Sequence, residues 1–147
     1  MKNQILKTTA ILGLFFMLAI ASVNAQTPSR IEVNVPFDFS VGKTTLKAGA
    51  YRIKRMSGTT LSVRSADGKT TVLVNAPLTI GSRDSKAGER LVFNQYGDQY
   101  FLSQIWLTID TGRQLFTEGM EKKAAREYLL ANNNAKPKRV EIAVSNR

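Results

Sequence analysis

The stretch that decides the fold is Thr60-Leu61-Ser62-Val63-Arg64-Ser65-Ala66-Asp67-Gly68-Lys69-Thr70-Thr71-Val72-Leu73-Val74-Asn75. Leu61 and Val63 alternate with Ser62 and Arg64, the period-two pattern of a half-buried strand. Asp67-Gly68 between two such runs is the strongest short hairpin signal in the chain. Thr70 to Asn75 is the return strand. Its Val72-Leu73-Val74 run has no polar break and reads as buried on both sides. The hairpin makes the chain an antiparallel β protein, provided its neighbours follow the same rule.

They do so on both sides. Upstream, Ile31, Val33 and Val35 alternate with Glu32 and Asn34. Pro36 has no N–H to give to a ladder, so it marks a bulge or strand edge where the chain bends. Phe37, Phe39 and Val41 resume the alternation around Asp38 and Ser40. Gly42-Lys43-Thr44 is a turn, and Leu46-Lys47-Ala48-Gly49-Ala50-Tyr51 a tight connection. Tyr51 and Ile53 then face one way with Lys54 opposite, and Ser57-Gly58 turns the chain. Downstream, Pro77 and Gly81 close the unit, and Ser82 to Gly88 is a polar loop. Leu91-Val92-Phe93 starts a strand, Tyr96-Gly97-Asp98 turns it, and Tyr100 to Leu107 returns. Thr111-Gly112 reads as a further turn.

Near Met120 the period changes to a helical one. Met120, Ala124, Tyr128 and Ala131 share a face, flanked by Ala125 and Leu129. Glu118 and Glu121 suit the positive end of the helix dipole, and Glu118 stands four residues before Lys122. Asn132-Asn133-Asn134 and Pro137 stop the helix. Val140 to Val144 alternates again. The expectation is an all-β, mainly antiparallel sandwich or barrel of about eight strands with one C-terminal helix. By segment it has a β domain over 30–118, a helix over 119–134, and a basic tail or edge strand over 135–147.

Residues 1–25 have the layout of a secretory signal peptide: Lys2 and Lys7, an apolar run from Ala10 to Ile20, and small residues before a cut after Ala25. The apolar run is short for a membrane span, which needs about 20 residues. Residues 26–29 form a flexible leader. The expectation is therefore export to the periplasm or beyond, with no transmembrane segment after cleavage. Cysteine and histidine are both absent. That excludes disulfides, thiolate metal sites, cysteine nucleophiles, histidine general bases and every Ser-His-Asp arrangement. The net charge is +10, to which Lys2 and Lys7 contribute two. A basic balance favours anionic partners or serves solubility.

Two segments carry a resemblance: Val35-Pro36-Phe37-Asp38-Phe39-Ser40-Val41-Gly42 with Leu46 to Tyr51, and Tyr96-Gly97-Asp98-Gln99-Tyr100-Phe101-Leu102. Together they resemble a family of small secreted bacterial proteins without assigned activity. The resemblance implies export and a compact β-rich domain, and it brings no cofactor or catalytic residue. Lys47 stands where the family's turn has a proline.

No catalytic, cofactor-binding or metal-ligating residue is nominated. Asp38 could be a carboxylate with a raised pKa beside Phe37 and Phe39, although alternation places it on the face opposite both. The acids Asp38, Asp67, Asp84, Asp98, Asp110 and Glu118 lie mostly in turns and could converge as a calcium or glycosidase-type pair. The aromatic hairpin offers a partner surface of Tyr96, Tyr100, Phe101 and Trp106 with Arg90 and Arg113, able to stack sugars or bases and hold anions. Tyr100 and Phe101 are adjacent, so one belongs to the core and the other is the better site residue. Lys136-Pro137-Lys138-Arg139 is a basic cluster that could touch anionic envelope polymers and more often reads as a solvated linker. The functional expectation is a non-enzymatic exported binding or scaffold domain, contacting an anionic envelope polymer or another envelope protein without specific nucleic-acid binding. The alternatives are a small barrel holding an apolar ligand and a carboxylate-dependent hydrolase.

Overall fold

The structure, a computed structural model, describes residues 30–82 and 88–144. The expected signal peptide and leader, and most of the expected loop including Asp84, lie outside the described residues. The described residues form an all-β sandwich with one helix in their C-terminal part. A four-stranded antiparallel sheet has the order β1 (Arg30–Val35), β4 (Gly49–Ser57), β5 (Thr60–Ser65), β6 (Thr71–Asn75). A seven-stranded sheet runs β11 (Lys138–Ala143), β8 (Arg90–Tyr96), β9 (Gln99–Trp106), β10 (Thr111–Gln114), β7 (Leu78–Gly81). The β2 (Phe39–Val41) and β3 (Thr44–Leu46) hairpin joins it through a parallel Ser40–Phe101 pairing with β9. Helix α1 spans Gly119–Ala131.

The strands outnumber the eight or so expected because three short ones hide in stretches that read as turns or breaks. Pro36 is the first such place. There the chain leaves the four-stranded sheet and enters the other, so one alternating run becomes β1 and β2 in different layers. Lys47 and Ala48 carry it back. Asp38 ties the two corners together: its carboxylate accepts from Lys47 Nζ at 2.8 Å and from the Ala48 amide at 2.8 Å. Tyr51 Oη donates to the Lys47 carbonyl at 2.6 Å. The polar residues of the Val35–Tyr51 segment thus build a crossover.

Gly112 is not a turn residue. The turn lies over residues 107–110, where Thr108 Oγ1 accepts from the Thr111 amide and donates to Asp110. Gly112 itself sits inside β10, and a Cβ there would fall 2.6 Å from the Trp106 ring. Glycine is present because an indole lies on the backbone. Leu78 to Gly81, read as an ending, is edge strand β7 paired with β10. Strand β6 is not buried on both sides. Val74 is buried and Val72 half-buried, but Leu73 is 64% exposed, because β6 is an edge strand with an open outer face.

The Asp67-Gly68 hairpin forms as expected. Gly68 takes φ +74°, and Asp67 accepts from Ser65 Oγ and the Lys69 amide. Val63 opposes Val72 and Leu61 opposes Val74. The inward residues of both sheets form one core: Ile31, Val35, Ile53, Leu61 and Val63 from one layer, Phe39, Phe93, Leu91, Leu102 and Ile105 from the other. Phe39 bridges the layers edge-on to Tyr51 and Phe93, at ring distances of 5.1 and 5.3 Å. Among the described residues, no helix is long and apolar enough to cross a membrane.

Candidate functional site

Each sheet has an outer face, and the two differ in kind. Cross-strand register places Arg90, Trp106 and Gly112 in one row on the outer face of the seven-stranded sheet. Counting in twos from Trp106 would place Tyr100 beside it. A bulge intervenes: Val92 opposes Gln104 and Phe93 opposes Leu102, leaving Ser103 extra on β9. The bulge exchanges the two aromatics. Phe101 turns outward with Asn94, and Tyr100 turns inward, stacked on Phe37 with ring centroids 3.9 Å apart. Arg113 opposes Ile105 and so shares the inner face.

The six residues of the expected partner surface are therefore divided. Arg90, Trp106, Phe101 and Tyr96 are on the outer face, and Tyr100 and Arg113 are on the inner one. Three of the outer four are covered. Trp106 is 4% exposed, Phe101 4% and Arg90 6%.

Two devices cover them. Helix α1 lies over Phe101 and Tyr96, with Tyr128 edge-on to Tyr96 at 5.9 Å. Its buried stripe begins at Glu121 and continues through Ala124, while Met120 and Ala131 of the expected face are exposed. Glu121, expected as an acid at the positive end of the helix dipole, accepts from Asn94 Nδ2 at 2.8 Å and Tyr96 Oη at 3.3 Å. Burial, with the Glu121 charge and hydrogen bond, pushes the Tyr96 hydroxyl up to about 12. The helix ion pair is Lys123–Glu127 rather than the Glu118–Lys122 spacing that the sequence offers. Asn133 and Asn134 end the helix with positive φ, as their side chains allow.

The second device is a ring of side chains across β11, β8 and β9. The Arg90 guanidinium lies 4.1 Å over the Trp106 ring. Trp106 Nε1 donates to Gln104, which also accepts from Arg139. Arg139 donates to Glu141, and Glu141 lies 3.3 Å from Arg90 Nε, near enough for an ion pair but not aligned for a hydrogen bond. Arg90 Nη1 donates to the Gly88 carbonyl. Arg139, read as part of a solvated linker, is thus a member of the ring, and β11 is the edge-strand form of the tail. Gln104, Arg139, Glu141 and Glu121 carry no sequence signal as site residues, because each acts through a partner far along the chain.

Among the described residues, nothing covers the outer face of the four-stranded sheet in this way. Register sets Arg30 opposite Lys54, Glu32 opposite Arg52, and Arg52 opposite Arg64. Arg30, Glu32, Lys54 and Arg64 are exposed and Arg52 half-buried. Glu32 accepts from Arg30 at 2.6 Å and from Arg52 at 2.9 Å. The hydrogen bond from Arg52, then that from Arg30, holds its carboxyl below the ordinary value. Lys54 and Arg64 have no carboxylate within ion-pair reach among the described residues. Ser62, Thr71, Asn34 and Asn75 lie between and beside the cations. Period-two counting from β1, β4 and β5 would have found this face, had the strands been set side by side.

Of the expected acids, Asp38 and Asp98 line one open depression of about 270 Å³, and Asp84 lies outside the described residues. Asp38 is held below its ordinary pKa by Lys47 and then by the Ala48 amide, the opposite of the raised value considered for it. Asp67 is lowered by Ser65 and the Lys69 amide, and Asp110 chiefly by Thr108. Among the described residues there is no group of three or more acids that could hold a metal ion. An open depression of about 470 Å³ lies beside the Asp67 hairpin, lined by Lys47, Tyr51, Asp67 and Lys69 among others. Smaller ones of about 300 and 250 Å³ flank the seam between α1 and β9. No protein-family model, curated protein or solved structure matches the chain.

Proposed function

We propose that the protein is a non-enzymatic exported domain that binds or scaffolds in the cell envelope or outside the cell, through the outer face of its four-stranded sheet. The observation that carries this reading is that this face is open and basic, while the other is closed by its own helix and side-chain ring. Charges already tied to internal partners stabilise the fold; charges without partners are available to a ligand. The absence of histidine and cysteine and the leader-like first 25 residues support the same reading. A ligand held between the sheets finds less support. Phe39, Phe93, Ile53, Leu91 and Ile105 fill that space. Catalysis by a protonated carboxylic acid finds less as well, since the shifted acids all move toward the ionised form.

Footprinting in the producing cells tests the reading. The full chain is expressed, its N-terminus sequenced, and Lys54 labelled with an amine reagent in intact envelopes and in the purified protein. A start at Gln26 and protection of Lys54 in the envelope are expected. A chain retained in the cytoplasm, or Lys54 labelled equally in both settings, would overturn it.

A further inference from the structure

We infer that the outer face of the four-stranded sheet binds a linear acidic polysaccharide, an inference that rests on the binding reading above and names its partner. Three cations converge on two adjacent strands: Arg52 and Lys54 on β4, and Arg64 on β5. Arg30 extends the row onto β1. Side chains opposed across strands stand about 5 Å apart. Successive outward residues on one strand stand about 7 Å apart. The face is therefore a grid of cationic stems at subnanometre intervals, with the Arg64 guanidinium reaching over Gly68 at the hairpin end, and it suits a polymer with repeating carboxylates or sulfates.

The grid is unfavourable in the isolated protein. Like charges directly opposed across strands destabilise a sheet, and Arg52–Arg64 and Arg30–Lys54 are two such pairs. Glu32 relieves Arg30 and Arg52. Lys54 and Arg64 keep the excess, and a polyanion laid across the face would remove the repulsion. Local choices that oppose stability are expected at functional sites.

The surrounding residues select among polyanions. No aromatic side chain lies among the outward residues of β1, β4, β5 and β6, so the face offers bases no stacking platform, which single-stranded nucleic acid requires. Its large exposed apolar residues, Leu73 and Met56, sit on the edge strand and at a strand end. That leaves the centre without the apolar anchor of a membrane-surface site. Ser62, Thr71, Asn34 and Asn75 are short hydrogen-bonding side chains interleaved with the cations, suited to sugar hydroxyls.

The test measures binding of the purified full chain to polygalacturonate over a range of salt. Neutral dextran, a single-stranded oligonucleotide and phosphatidylglycerol vesicles run beside it. The variants are Lys54→Gln with Arg64→Gln, and Lys122→Gln with Lys123→Gln. The second pair removes the same charge from exposed positions on α1. Polygalacturonate should bind tightest, and dextran should not bind. The first pair should weaken binding by roughly tenfold or more and flatten its salt dependence, while melting at or above the wild-type temperature. The second should change binding by less than about twofold. Equal losses in both pairs, no retention of polygalacturonate, or tighter binding to oligonucleotide or vesicles would overturn the inference. Failure here with Lys54 still protected in envelopes removes the polysaccharide and leaves the broader reading. An unprotected Lys54 removes both.

Discussion

The two outer faces are both built from alternate residues of antiparallel strands, and they end in different states. On the seven-stranded sheet the outward Arg90, Arg139 and Glu141 close a circuit with Gln104 and Trp106, and Glu121 reaches down from α1 to Asn94 and Tyr96. On the four-stranded sheet Arg30 and Arg52 share one carboxylate, Glu32, and among the described residues Lys54 and Arg64 have none. The difference teaches that charge and aromaticity are poor guides to function until their partners are known. The face richer in expected site residues spends them on its own stability. The plainer face pairs Arg30 and Arg52 with Glu32 and leaves Lys54 and Arg64 without a carboxylate among the described residues.

If the first face is structural, removing its centre should unfold the protein more than any change on the second. Trp106→Ala takes a nearly fully buried ring from between Gly112 and Arg90. A loss of about 3–5 kcal/mol is expected in urea unfolding, and a loss under 1 kcal/mol would mean that the ring of side chains does not hold β11. Trp106 is the sole tryptophan, so its fluorescence in the wild type reports directly on this circuit. Gly112→Val approaches the same contact from the other side. With a Cβ 2.6 Å from the indole, overpacking should cost about 1–3 kcal/mol.

Glu121 offers a finer division of the same face. Glu121→Ala strands the Asn94 amide and the Tyr96 hydroxyl beneath the helix, and a cost of about 1–3 kcal/mol follows for buried groups left without partners. Proteolysis near residues 115–119 should rise in that variant, because the helix has lost its polar anchor. An unchanged cleavage rate would show that Ala124 and Tyr128 suffice to hold it.

Much of the fold was legible from alternation and turns. The Asp67-Gly68 hairpin, the inward Tyr51, Ile53, Leu61 and Val63, the helix with its asparagine stop, and the final edge strand all follow from local rules. What escaped was set by neighbours in space. Leu73 looked buried because its own segment is apolar, yet burial depends on a layer being present above it. Gly112 looked like a turn because glycine serves turns, and only Trp106 reveals the close approach. Phe101 and Tyr100 were distinguishable as opposite-facing, but the Ser103 bulge that assigns their faces is invisible to a count of two. The candidate site was less legible than the fold. Its cations come from three strands that only the pairing register sets side by side.

Below these effects lies the corner that joins the sheets. Asp38 has its pKa depressed in the folded state, so across the window between the depressed value and the ordinary 3.8 the unfolded chain binds more protons. The resulting stability is present above the unfolded pKa and is lost as pH falls through the folded one. Glu32, Asp67 and Asp110 move in the same direction. Thermal melts should therefore fall below about pH 4, and Asp38→Asn should flatten part of that fall. An unaltered acid limb would show that the Lys47 and Ala48 contacts are not formed in solution.

The smallest expected effect bears most directly on the contrast. Arg64→Thr replaces one member of the Arg52–Arg64 opposition with a residue that suits a strand. Relief of repulsion should raise stability by a few tenths of a kcal/mol at low salt. The gain should shrink as salt screens the pair. The same charge removal on the other face, Arg139→Thr, should destabilise, since it breaks the bonds to Gln104 and Glu141. Opposite signs from one kind of substitution would distinguish a face whose charges serve the fold from one whose charges await a partner. Equal signs would mean that exposure alone, and not the network, governs both.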